Sequence, residues 1–188
     1  MGRPAKFSRD DILDAALALT AESGLGAVTM AAIAARLNAP TGSLYHRYAS
    51  RDLLLAALWI RGVQRFQRGF LDALNADDAP AAALHTPRWC RRHPDEARFL
   101  LLHRRRDLVT AWPAELGPDL DRLDRAVEDA LTSFIARHQG TDPETLCYAV
   151  IDAPYGAVRR HLLADRPPPP AVDALITATY RALSLPTP

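Results

Sequence analysis

Thr29-Met30-Ala31-Ala32-Ile33-Ala34-Ala35-Arg36-Leu37-Asn38-Ala39-Pro40-Thr41-Gly42-Ser43-Leu44-Tyr45-His46-Arg47-Tyr48 is the stretch on which the fold turns. Thr29 is a good N-cap, and Ile33 and Leu37, four apart, give a helix over about 30–37 one buried side. Asn38 is one of the few non-glycine residues that tolerates the left-handed backbone needed where such a helix stops. After the joint Asn38-Ala39-Pro40, a second short helix is expected from Pro40 or Thr41 through Arg47. Two short helices on a three-residue joint have the proportions of a helix-turn-helix. That motif lays its second helix in the major groove of DNA, with residues near the helix start reaching base edges.

Each residue of the second helix has a role on this reading. Thr41, Ser43 and His46 can hydrogen-bond to bases or phosphates. Gly42 costs about 1 kcal/mol against alanine inside a helix, a cost explained if the backbone must approach DNA closely. Leu44 and Tyr48 face inward and hold the helix. Tyr45 and Arg47 suit phosphate oxygens, which position a protein without reading sequence. Arg51, in the first turn of the next helix, adds a cation beside free backbone amides, and Thr29 offers the same arrangement one helix earlier.

Upstream, residues 1–7 form a polar arm, and Ser8, three residues before Asp11, makes a capping pair. Ile12, Ala15, Ala16 and Leu19 follow at helical spacing, and Gly24 is placed to end that helix. Downstream, Ser50 caps a long helix over about 51–75, marked by Leu54, Leu58, Phe66, Phe70 and Leu74. Further helices are expected over about 80–93, disturbed at Pro87, and from Pro94. A loop over 107–118 and a helix from Asp119 to about His138 come next. Helices over 143–165 and 171–185 close the chain, separated by Arg166 and four prolines. Pro154 should kink the first of these two. No segment alternates at period two, so the fold class is all-α.

With those residues in place, residues 8–59 resemble the DNA-binding domain of the TetR family. Thr29, Ile33-Ala34, Gly42-Ser43-Leu44-Tyr45, Tyr48, Ser50-Arg51-Asp52 and Leu53-Leu54 follow the order of the family pattern. Leu37-Asn38-Ala39-Pro40 stands where the family usually has Ala-Gly-Val-Ser, so Pro40 lacks the usual serine cap. The resemblance implies an N-terminal three-helix DNA-binding domain, 1–50, and a C-terminal helical ligand-binding and dimerisation domain, 51–188. It implies a homodimeric, sequence-specific regulator of transcription, a repressor released from operator double-stranded DNA by a small apolar or amphipathic ligand. The alternative is a DNA-binding regulator without a small-molecule inducer, controlled by a partner protein. An apolar cavity beside the 51–75 helix would favour the ligand, and a closed second domain the partner.

The last two helices offer candidates for the dimer seam. Leu146, Val150, Ala153 and Ala157 form one stripe, and Val172, Leu175, Ile176, Thr179 and Leu183 another. Either these stripes build a four-helix bundle across a dyad or they close the monomer's own core. Periodicity alone does not separate the two, and the resemblance favours the dimer. For the ligand, the candidates are Trp59, Phe66, Trp89, Phe99, His103, Trp112 and Tyr148. The arginines of 88–106 read as a solvated face paired with Asp95, Glu96 and Asp107.

Composition bounds these readings. Twenty-three basic against 22 acidic residues leave a formal charge of only +1, so any DNA contact must come from a local patch. Cys90 and Cys147 offer no disulfide framework, and no apolar run suggests a signal peptide or a membrane span, so a cytoplasmic protein without membrane partners is expected. No phosphate loop, zinc helix or nucleophile turn is present, so no catalytic residue, metal or cofactor is assigned.

Overall fold

The computed structural model describes residues 7–109 and 111–183. Their regular structure is all helical, with no strand among them, and the all-α expectation holds. They divide into two units. One is the chain up to Arg61 with His103–Pro118, and the other is Gly62–Leu102 with the chain from Asp119 onward.

In the first unit, α1 (Arg9–Ser23) opens on the reciprocal cap that the Ser8–Asp11 spacing predicts. The Asp11 amide donates to Ser8 Oγ at 3.1 Å while the Ser8 amide donates to Asp11 Oδ2 at 2.7 Å. Those bonds, the backbone one foremost, hold the Asp11 carboxyl below its ordinary value. Gly24 ends α1 with φ at +79°, a conformation that side chains resist, and its amide donates to the Thr20 carbonyl. After a 3₁₀ turn, α2 (Met30–Arg36) starts where Thr29 Oγ1 accepts the Ala32 amide at 3.0 Å. Asn38 takes φ +49°, as expected of it. Helix α3 (Thr41–Tyr45) stops two residues short of the expected end, because the Arg47 and Tyr48 amides both turn back to the Leu44 carbonyl. Ile12, Ala16, Val28, Ile33, Leu44, Leu54 and Leu58 are sealed in the core of this unit. Arg61, itself buried, pairs with Asp10 and Asp14 of α1.

Helix α4 (Arg51–Asn75) supplies its first eleven residues to this unit and the rest to the second. There α5 (Ala79–Arg92) packs against α6 (Pro94–Leu102), α10 (Ala153–Leu163) and α11 (Ala171–Ala182), around Phe70, Leu74, Trp89, Phe134, Leu146, Val150 and Ile176.

Two local expectations are corrected, and the segment expected to kink at Pro154 takes a specific form. Helix α5 runs through Pro87 without interruption; the proline deletes one donor, while its ring is buried with its neighbours. The loop expected over 107–118 is partly structured, holding α7 (Arg105–Leu108) in part, a 3₁₀ turn at Ala114–Leu116 and the start of α8 (Gly117–Arg137). Pro118 suits that first turn because its missing N–H would have had no partner there. The segment around Pro154 is widened rather than broken. After α9 (Pro143–Cys147), residues Tyr148–Asp152 form a π turn that leads directly into α10. Pro154 gives the Val150 carbonyl no amide to accept, and a widened turn relieves the ring's clash with the preceding turn. The arginine cluster also finds partners far along the chain: Arg91 makes a two-pronged pair with Asp173, and Arg98 meets Asp165. Residues 184 and 185 of the expected last helix, and residues 1–6 of the expected polar arm, lie outside the described residues.

Candidate nucleic-acid interface and ligand cavity

Leu44 and Tyr48 are buried at 1% and 5% exposure, so the opposite side of α3 must face outward. Thr41, Gly42, Tyr45 and His46 are exposed on it, Tyr45 at 51%. A Cβ added to Gly42 would meet nothing within 4 Å. Nothing inside the protein therefore asks for glycine there, and the room is on the open side.

The remaining candidates are occupied: Ser43, Arg47 and Arg51 are half-buried, and Thr29 is exposed. Ser43 Oγ donates to the Pro40 carbonyl at 2.7 Å, and among the described residues no side chain caps the amides at the start of α3. One Arg47 nitrogen donates to the Ser43 carbonyl at 2.9 Å. Arg51 donates from Nε to the Val28 carbonyl and from a terminal nitrogen to the Leu25 carbonyl at 2.8 Å. The arginine expected to wait for phosphate thus also ties the start of α4 to the turn before α2. Thr29 Oγ1 is engaged in its cap.

Of the seven ligand candidates, the structure brings two together at a cavity. Phe66 and Trp89 meet edge to face, 5.2 Å between ring centres, in the wall of a cavity of about 380 Å³ in the second unit. Trp59 and Trp112 pair with each other in the first unit, 5.9 Å apart. Phe99 is buried away from the cavity lining, His103 is half-buried and outside it, and Tyr148 is half-exposed. The lining comes from Val63, Phe66, Gln67 and Phe70 of α4, Thr86, Trp89 and Cys90 of α5, Leu100 and Leu101 of α6, and Val150, Tyr155 and Val158 across from them, among others.

Sequence reasoning missed Gln67, Thr86 and Cys90, and gave Val150 to the dimer seam. One signal was available: positions 63, 66, 67 and 70 share a helix face, and Gln67 is its one polar member. Burial pushes the Cys90 thiol up to about 12, so it is a neutral wall group. No Asp, Glu, Lys, Arg or His lines the cavity. Behind it, His85 donates from Nε2 to the Phe66 carbonyl at 2.7 Å, which fixes its tautomer because a carbonyl only accepts. Burial lowers the pKa of His85 below its ordinary value.

The expected seam residues separate by burial. Leu146, Val150, Val172 and Ile176 are enclosed in the core of the second unit. Leu175 is 53% exposed, and Ala171, Ala174, Ala178 and Ala182 lie exposed on the same side of α11. Ala153, Ala157, Thr179 and Leu183 are half-buried.

Among the described residues no helix is long and apolar enough to cross a membrane. No group of three His, Cys, Asp or Glu among them could hold a metal ion.

Residues 12–58 match the family model for bacterial regulatory proteins of the tetR family. No curated protein sequence matches the chain. Among solved structures, the chain is similar to a member of the TetR family from Streptomyces coelicolor A3, with TM-score 0.64 and 22% identity over 98% of this chain and 100% of that one. It is similar to the transcriptional regulator FadR from Bacillus subtilis, solved with stearoyl-CoA, with TM-score 0.69 and 15% identity over 94% and 97%. A TetR-like transcriptional regulator from Rhodococcus sp. RHA1 gives TM-score 0.61 and 21% identity over 98% of each chain.

Proposed function

We propose that the chain, whose residues 12–58 match the model of the tetR family of bacterial regulatory proteins, is a homodimeric repressor whose hold on operator DNA is set by a small apolar ligand. The cavity carries this reading: about 380 Å³ bounded mostly by apolar side chains, within the size range of small-molecule sites. It favours ligand control over control by a partner protein alone, for which a closed second unit would suffice. The likeness in fold to a regulator solved with stearoyl-CoA supports an apolar ligand in the same general sense.

The proposed DNA face is the outward side of α3. Thr41, Ser43 and His46 meet bases, and Tyr45, Arg47, Arg51 and Thr29 meet phosphate. Ser43, Arg47 and Arg51 exchange or share their present carbonyl partners to do so. The proposed dimer seam runs along the exposed Leu175 and alanine side of α11. Small side chains there permit close helix approach, and two reading heads are needed because one short helix reads too few bases. The domain line proposed from the sequence, at 50/51, keeps all of these DNA contacts but Arg51 in the first domain.

Helix α4 holds both Arg51 and Phe66, so it is the proposed path of coupling. A ligand can loosen DNA only by as much as it prefers the state that binds DNA poorly, and coupling of this kind is typically 5- to 150-fold. The test measures the affinity of the full chain for a duplex recovered by selection, with and without a saturating apolar probe, 1-decanol. Weakening within that range is expected. Equal affinities, with the probe shown to be bound, would remove ligand control and leave the partner-controlled reading.

A further inference from the structure

We infer that the cavity selects an uncharged ligand that carries one hydrogen-bond donor on an otherwise apolar body, the donor meeting Gln67 Oε1. The inference rests on the reading of the cavity as the ligand site and adds the chemistry of what it takes. Gln67 sits on the cavity face of α4. Its Nε2 donates to the Leu123 carbonyl at 3.4 Å. That carbonyl has only lone pairs to offer, so the nitrogen must be the atom facing it, and the amide orientation follows. Oε1 is then left buried with no hydrogen-bond partner in the protein. A buried acceptor left bare is costly, and a donor arriving with the ligand satisfies it.

The other polar lining groups discriminate less. The Thr86 hydroxyl can both donate and accept, and the Cys90 thiol, held neutral by burial, is a weak partner in either sense. Tyr155 is half-exposed and can turn to water. Charge is excluded by the walls. A carboxylate or ammonium inside would lose its water among apolar side chains with no ion of opposite sign in the lining. The cavity should therefore prefer an alcohol or a phenol to the corresponding acid, and an alcohol to an ether of the same size.

Three probes separate these requirements by calorimetric titration of the full chain at pH 8: 1-decanol, its isomer nonyl methyl ether, which accepts but cannot donate, and decanoate. The alcohol should bind about three- to tenfold more tightly than the ether, the usual yield of one net hydrogen bond. Decanoate should bind at least about tenfold more weakly than the alcohol. In Gln67→Leu the alcohol and ether should bind alike, with the ether held as well as by wild type or better, which also shows that the variant is folded. Equal binding of alcohol and ether by wild type would overturn the inference and leave the cavity reading standing. A gap that persists in Gln67→Leu, or tighter binding of decanoate, would do the same. Failure of all three probes to bind wild type would overturn the cavity reading, and the inference with it.

Discussion

Arg51 shows how far a side chain's identity predicts its use. Its position at the start of α4 suggests a phosphate clamp, and its guanidinium has five donors. Two of them are spent on the Val28 and Leu25 carbonyls, which lie more than twenty residues away in sequence. Spacing arguments reach three or four residues, so they do not see such a bond. Ser43 and Arg47 bond to carbonyls only three and four residues back, but whether those carbonyls are open to a side chain depends on where α3 starts and stops. What the residue types did reveal is the inward pair Leu44 and Tyr48, and hence which side of α3 is open. Arg51→Lys keeps the charge but replaces the planar fork with a single ammonium that cannot serve both carbonyls. Loss of about 1–3 kcal/mol of stability is expected, because the bonds come from a charged donor. Thermal unfolding measures it. Unchanged stability with weakened DNA binding would return Arg51 to a role on DNA alone.

At the scale of elements, periodicity found the helices that bury one stripe and was weakest where proline intervenes. Pro87 and Pro118 were read as disturbance and loop, yet one lies in a continuous helix and the other in a first turn. Burial decided the first and a spare amide the second, and neither is visible in spacing. The cavity wall was half legible, since Phe66 and Trp89 are obvious by size, whereas a glutamine among apolar residues looks ordinary until its neighbours are known. The joint of α4 and α5 behind that wall is built on Gly69, where a Cβ would lie 2.7 Å from His85 Cε1. Only glycine lets the imidazole in to reach the Phe66 carbonyl. Burial keeps that imidazole neutral, so the unfolded chain binds its proton more readily than the folded one. The stability from this site is therefore whole above the ordinary histidine value of about 6.5 and is lost as pH falls from there through the lower folded value. His85→Gln, which can still donate to Phe66, should flatten the fall in melting temperature below about pH 6.5. Some slope should remain, because His103 is shifted in the same direction, by burial. An unchanged slope would take His85 out of the acid response.

For the whole molecule, the sequence carried the helix-turn-helix, because local caps and short-range patterns define it, whereas no spacing assigns His103–Pro118 to the same unit as the first 61 residues. The proposed dimer seam takes only part of the stripe read along α11, because that stripe mixes residues that face the unit's own core with residues that face out. Val172 and Ile176 are enclosed, while Leu175 is open. A charge at Leu175 should therefore give folded monomers, and a charge at Ile176 should unfold the chain, since it would be buried without a partner. Light scattering and circular dichroism distinguish these outcomes, and a dimeric Leu175→Glu would move the seam elsewhere. The central claim is that two copies of α3 read a two-fold DNA site. Selection from random duplex DNA, run on the full chain beside a Ser43→Ala/His46→Ala variant, tests it most directly. The expected product for wild type is a pair of inverted half-sites about 10–10.5 base pairs apart, or a multiple of that spacing, and the variant should keep the spacing while changing the preferred bases. No enrichment, or the same bases from both proteins, would contradict it.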